Sequence, residues 1–142
     1  MNKILLSVLL ASIFLTAAGQ TAPSKLEWYR SFFRHTGQNT ESRMAAVEKK
    51  ILAARDVNDA EALSKALKER GMLQFTLAHD YLKAMEDLLR SLAIEDSLGL
   101  EHEKVFSMLG ISQILEDADD PDKADQWLQR ALAANEEEND TE

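Results

Sequence analysis

The chain contains no cysteine, so no disulfide can brace it and packing alone must hold it together. Glycine (5) and proline (2) are scarce among 142 residues, which argues against a fold of strands joined by tight turns, since those two residues supply the backbone angles such turns need. Base is also in deficit: 16 lysines and arginines face 25 aspartates and glutamates, a net charge of −9. That balance excludes nucleic acid and anionic lipid as favoured partners, because phosphate binding depends on clustered basic side chains. No Gly-x-Ser-x-Gly elbow and no glycine-rich phosphate loop occurs, so no signature marks a catalytic centre and the chain is expected not to be an enzyme. What is present is a 45% hydrophobic content, enough for the core of one domain.

The first segment stands apart from that core. Met1-Asn2-Lys3 is a short basic start, and Ile4 to Ala18 is apolar apart from Ser7, Ser12 and Thr16. Small residues follow at Ala17-Ala18-Gly19. This is the layout of a bacterial-type secretory signal peptide, residues 1–19, with cleavage expected after Gly19 and an uncleaved N-terminal anchor as the alternative. The apolar run falls short of the roughly 20 residues of a membrane span, so no span beyond this leader is expected and the product is periplasmic or secreted. Removing the leader takes away Lys3 and no acid, leaving −10. Acid is concentrated in Glu116–Asp122, with five acids in seven residues, and in Glu136–Glu142, with five more and no base. The second run, residues 136–142, reads as a solvated, disordered tail.

Between these ends the apolar residues repeat with helical period. Tyr81, Ala84, Met85, Leu88, Leu89 and Leu92 form one stripe, as do Ala124, Trp127, Leu128, Ala131 and Leu132; Met44, Val47, Ile51 and Leu52 make a weaker one. Caps punctuate them: Asn58 with Glu61 suits a capping box, Asp80 caps a helix from Tyr81, Asp120-Pro121 opens another, and Gly99 closes one in the left-handed conformation. The expectation is an all-α protein of six helices, near 25–35, 42–55, 60–77, 81–97, 101–116 and 121–135, paired into three antiparallel hairpins.

One short pattern recurs in the second helix of each pair. Residues 50–54 read KILAA, 90–94 read RSLAI and 130–134 read RALAA. The interval is 40 residues both times, and a repeat of this size implies hairpins stacked as an α-solenoid. Phe106-x-x-Leu109-Gly110, followed by Ala124, Leu128 and Ala131, and before them Leu67, Gly71, Phe75, Ala84, Leu88 and Ser91, resemble the tetratricopeptide-repeat family over residues 25–135. The interval exceeds that family's usual ~34 residues and is similar to a long variant found in bacterial regulators. Leu26–Phe33 lacks the motif, and Arg70 stands where Leu109 sits in the next unit.

The resemblance implies a groove lined by the first helix of each pair, taking a peptide or a helix of another protein. In that register the lining residues are Lys65, Lys68, Met72 and Phe75 from one helix and Lys104, Ser107, Ile111 and Ile114 from the next. The three lysines would make a positive strip favouring an acidic partner. The asparagines of the family's carboxylate clamp are absent. Trp127 on the last helix is a candidate contact at the end face, for a partner or for a second copy in a homodimer. The second functional expectation is a sensory or scaffolding fragment of a larger envelope signalling protein of histidine-kinase or regulator type. No cofactor is expected. His35, His79 and His102 lack a second metal ligand at suitable spacing. Asp117–Asp122 fails as a calcium loop, with Pro121 at the third acid position and Asp122 where glycine is needed.

Overall fold

The structure, a computed structural model, describes residues 40–139. The leader, the helix expected at 25–35 and residues 140–142 lie outside them. The described residues are all-helical, without strands: α1 (Thr40–Asp56), α2 (Ala60–Leu73) continuing into a π turn (Gln74–Ala78), α3 (Tyr81–Leu98), α4 (Glu101–Asp117) and α5 (Pro121–Asn139). None of these helices is long and apolar enough to cross a membrane. The last runs beyond its expected end, so residues 136–139 of the expected tail are helical. Glutamate is a good helix former, and the run continues a helix already packed on its neighbour.

The corners share one construction. Each has a left-handed residue, at Asn58, His79, Gly99 and Asp119, directly followed by the residue that opens the next helix. Asp59 accepts from the Ala62 N–H at 2.9 Å, Asp80 from Lys83 at 3.2 Å and Asp120 from Lys123 at 3.3 Å; Leu100 gives no side-chain cap. The backbone N–H of that opening residue reaches back to a carbonyl of the finishing helix: Asp59 to Ala54, Leu100 to Glu95 and Asp120 to Leu115, five residues each, at 2.8–2.9 Å. Asp80 reaches Gln74, six residues back, also at 2.9 Å. The corner spacing is 21, 20 and 20 residues. The longer interval and the longer reach both involve the segment with the π turn, which accommodates an added residue without unmaking the corner. The cap expected at Asn58 therefore belongs to Asp59, while Asn58 turns the chain, a conformation asparagine tolerates.

Successive helices pack on one another, α1 on α2, α2 on α3, α3 on α4 and α4 on α5. The two helices at the centre of this order are buried around much of their circumference. In α2 these residues include Ser64, Ala66, Leu67, Lys68, Gly71, Met72 and Leu73; in α4 they run almost unbroken from Val105 to Ile114. The flanking helices bury only a stripe. In all three copies of the recurring pattern the second position is buried, Ile51, Ser91 and Ala131, while Lys50, Arg90 and Arg130 are exposed. Leu88 is fully buried and lies against two glycines. A Cβ on Gly71 would come within 3.0 Å of the Ala84 carbonyl and 3.2 Å of Leu88 Cγ; one on Gly110 would meet Leu88 Cδ1 at 3.0 Å and Met72 Sδ at 3.2 Å. Gly110 thus faces α3 and α2. The contact of α4 with α5 is made by Val105 and Met108 against Ala131 and by Ser112, which donates to the Ala124 carbonyl at 2.7 Å.

The two glycines differ in what blocks them, and substitution separates them. Alanine gains about 1 kcal/mol of helix propensity over glycine. At Gly110 the obstructing atoms are the ends of flexible side chains, so Gly110→Ala is expected to be neutral within about 1 kcal/mol. At Gly71 the obstruction includes backbone, and overpacking there costs about 1–3 kcal/mol. Gly71→Ala is accordingly the less stable of the two in urea denaturation followed by circular dichroism; the reverse order would refute this account of the helix contacts.

Candidate functional site: a buried charge network and the surface left free

α2, α3 and α4 meet around a lysine. Lys68 is only 3% exposed, and its Nζ lies 2.8 Å from Glu95 Oε1 and 2.7 Å from Glu103 Oε2. It also donates to the Glu103 carbonyl at 3.0 Å and stands 5.6 Å from the centre of the Phe106 ring. Glu95 is 0% exposed. Its Oε2 accepts from Ser107 at 2.7 Å, and its Oε1 lies 2.9 Å from Ser91 Oγ, which is also 2.8 Å from the Ser64 carbonyl. A buried carboxylate survives only when its lone pairs are met in this way. Burial pushes the Glu103 carboxyl up, but the hydrogen bond and charge of Lys68, with Lys65 and His102 beyond, hold it below the ordinary glutamate range.

A second polar junction ties the other side of α2. Arg70 Nε and one terminal nitrogen donate to the two oxygens of Asp87 at 2.6 and 2.7 Å, and the other terminal nitrogen donates to Glu48 at 2.8 Å. The fork geometry of guanidinium suits a carboxylate gripped through both oxygens. The Asp87 and Glu48 hydrogen bonds raise the already high guanidinium pKa against the opposing effect of burial. Arg70 thereby joins α1, α2 and α3.

These networks account for most of the expected groove. Lys68, Met72, Ser107, Ile111 and Ile114 are all buried and present no surface to a partner. The expectation assumed that first helices carry one free face, whereas α2 and α4 bury most of theirs. The positive strip is also cancelled. Lys65 pairs with Glu61 at 2.6 Å, and Lys104 with Asp96 at 2.8 Å and Glu101 at 3.1 Å. Both lysines are held more firmly protonated than an ordinary lysine, through the hydrogen bonds to Glu61 and Asp96 respectively. Phe75 alone of the eight keeps a partly exposed apolar face, tilted against Tyr81 with ring centres 5.8 Å apart. Trp127 is no free end-face anchor: it packs against Val105, Met108 and Ala131, and the Arg130 guanidinium covers its ring at 4.2 Å.

Reasoning from sequence placed Ser91 with Ala84 and Leu88 but missed Glu95 and Asp87 as buried partners and Glu103 as a half-buried one. A signal was present: Glu95 extends the Ala84, Leu88, Ser91 line at helical spacing, but a count of apolar letters passes over it. Among the described residues no group of histidines or carboxylates is placed to hold a metal ion. The largest apolar exposures are Leu52 and Val57 at the end of α1 and Leu82, Leu89 and Leu98 on α3. No protein-family model, curated protein or solved structure matches the chain.

Proposed function

We propose that the chain is an exported, non-catalytic interaction module of tetratricopeptide-like character, its hairpins stacked as a short α-solenoid that docks a segment of another protein. The observation that carries this reading is the corner built four times from a left-handed residue and a helix-opening residue, at intervals of 21, 20 and 20. Such regularity is what a stack of like hairpins requires, each covering an apolar face that its neighbour cannot bury alone. The ionisable clusters support a non-catalytic role, since Lys68 and Arg70 are committed to holding helices together. With the lysine groove filled, docking passes to the outer face of α3, where Leu82 and Leu89 are exposed two helical turns apart.

A photo-reactive amino acid placed at Leu89, in cells that make the protein, tests this. The expected result is a discrete adduct with one other polypeptide, lost when Leu82→Glu is added. No adduct from either leucine position would overturn the proposal, and an adduct between two copies of the chain would replace docking with self-assembly.

A further inference from the structure

Two segments distant in sequence are joined at one end of the helices. Tyr81, at the start of α3, donates its hydroxyl to Asp117 Oδ2 at the end of α4, at 2.6 Å. This bond places the corner between α2 and α3 beside the acidic turn between α4 and α5. The first contributes apolar surface: Phe75 and Tyr81, both half-buried and in ring contact, and Leu82, at 86% the most exposed large apolar side chain described. The second contributes charge. The bases nearby are committed, Lys83 to Asp80 at 2.8 Å and Lys123 to Asp120 at 2.6 Å. Among the described residues Glu116, Asp117, Asp119 and Asp122 form no ion pair, and all four are exposed. The same corner holds an unused acceptor, Gln74 Oε1, which is buried without a hydrogen-bond partner in the π turn. Buried polar atoms are rarely left so, and π turns occur often at functional sites.

We infer that this end of the molecule, Phe75, Tyr81 and Leu82 together with the acidic turn from Glu116 to Asp122, docks a basic segment of a partner protein carrying an apolar side chain beside its lysines or arginines. The inference rests on the module reading above and gives the partner its chemistry. Charge complementarity selects the occupant: an acidic segment would meet four uncompensated carboxylates on a chain already at −9, and like charges brought together are strongly disfavoured. The apolar corner supplies the contact area, and the carboxylates supply encounter rate and selectivity.

The test is a titration of the isotope-labelled protein with a synthetic amphipathic peptide of leucine and lysine, followed by amide signals, beside a counterpart with glutamate for each lysine. The lysine peptide is expected to shift amides at residues 75–82 and 116–122, with affinity falling as salt rises; the glutamate peptide is expected not to bind. Asp117→Asn with Asp119→Asn, which leaves Tyr81 an acceptor and keeps a residue tolerant of the left-handed turn, should weaken binding about tenfold, equivalent to about 1.4 kcal/mol. Leu82→Ser should weaken it similarly. Shifts confined to other faces, or no binding, would overturn the inference. If Leu82→Ser weakens binding while the amide variants do not, the basic partner falls and apolar docking on α3 stands.

Discussion

Replacing Lys68 by methionine is expected to remove about 3–5 kcal/mol of stability, the usual cost of breaking a buried ion pair from one side. Methionine keeps most of the aliphatic stem but leaves Glu95, fully buried, with only hydroxyl partners. For a domain stabilised by about 5–15 kcal/mol this is a large share, and it is measured as a fall in the urea midpoint at unchanged slope. The pair itself is not the source of the loss; the orphaned charge is. Lys68→Met with Glu95→Leu should therefore regain most of the stability, because apolar replacement of a whole buried pair is commonly neutral or favourable. Additive single losses in the double variant would show that the two residues do not act as a pair. Acid should expose the same contact. The Glu103 carboxyl titrates lower in the folded chain than in the unfolded one, so its contribution is present above the ordinary glutamate range and is lost as pH falls through the lower folded value. The parent should lose more stability across that interval than Lys68→Met, in which the lysine holding Glu103 down is gone.

Leu88→Ala is expected to cost about 2–5 kcal/mol. The side chain is 0% exposed and reaches toward both Gly71 and Gly110. Two glycines have no side chains with which to fill the space it vacates, so the site cannot collapse and the cost should lie toward the upper part of that range. The same geometry offers a rescue. The atom that crowds a Cβ at Gly110 most is Leu88 Cδ1, at 3.0 Å, and it disappears in the alanine variant, leaving the flexible Met72 Sδ at 3.2 Å as the remaining close neighbour. Adding Gly110→Ala to Leu88→Ala should then recover about 1 kcal/mol from helix propensity and more from the refilled void. Equal effects of Gly110→Ala in the two backgrounds, by thermal or urea denaturation, would refute a direct contact between residues 88 and 110.

Helices, corners and most caps were legible because they are local. Asp80, Gly99 and Asp120-Pro121 act on backbone groups a few residues away, and their chemistry does not depend on what packs nearby. Even the displaced cap, from Asn58 to Asp59, is a shift of one residue within one turn. Burial was legible only where it was apolar. The inward line of α3 contains Asp87, Ser91 and Glu95, which become interior residues only because Arg70 and Lys68 arrive from another helix. The spacing within α3 marks Ser91 and Glu95 as inward, but the cations that answer Asp87 and Glu95 lie in α2. The expected groove failed for the complementary reason: Lys65 and Lys68 on α2 and Lys104 on α4 look like a charged strip until their carboxylates are located, Glu61 and Glu101 within a turn of Lys65 and Lys104, and Glu95, Glu103 and Asp96 reaching Lys68 and Lys104 from other helices.

Three of the four bends are made by residues that carry a side chain, Asn58, His79 and Asp119. For L-residues this backbone state costs roughly 1–2 kcal/mol, a penalty that asparagine and aspartate partly escape and histidine escapes less. Strain of this kind persists only where the surrounding packing over-determines it, and the bend at His79 is held in that way, with α2 and α3 locked across it by Arg70 on Asp87 and Lys68 on Glu95.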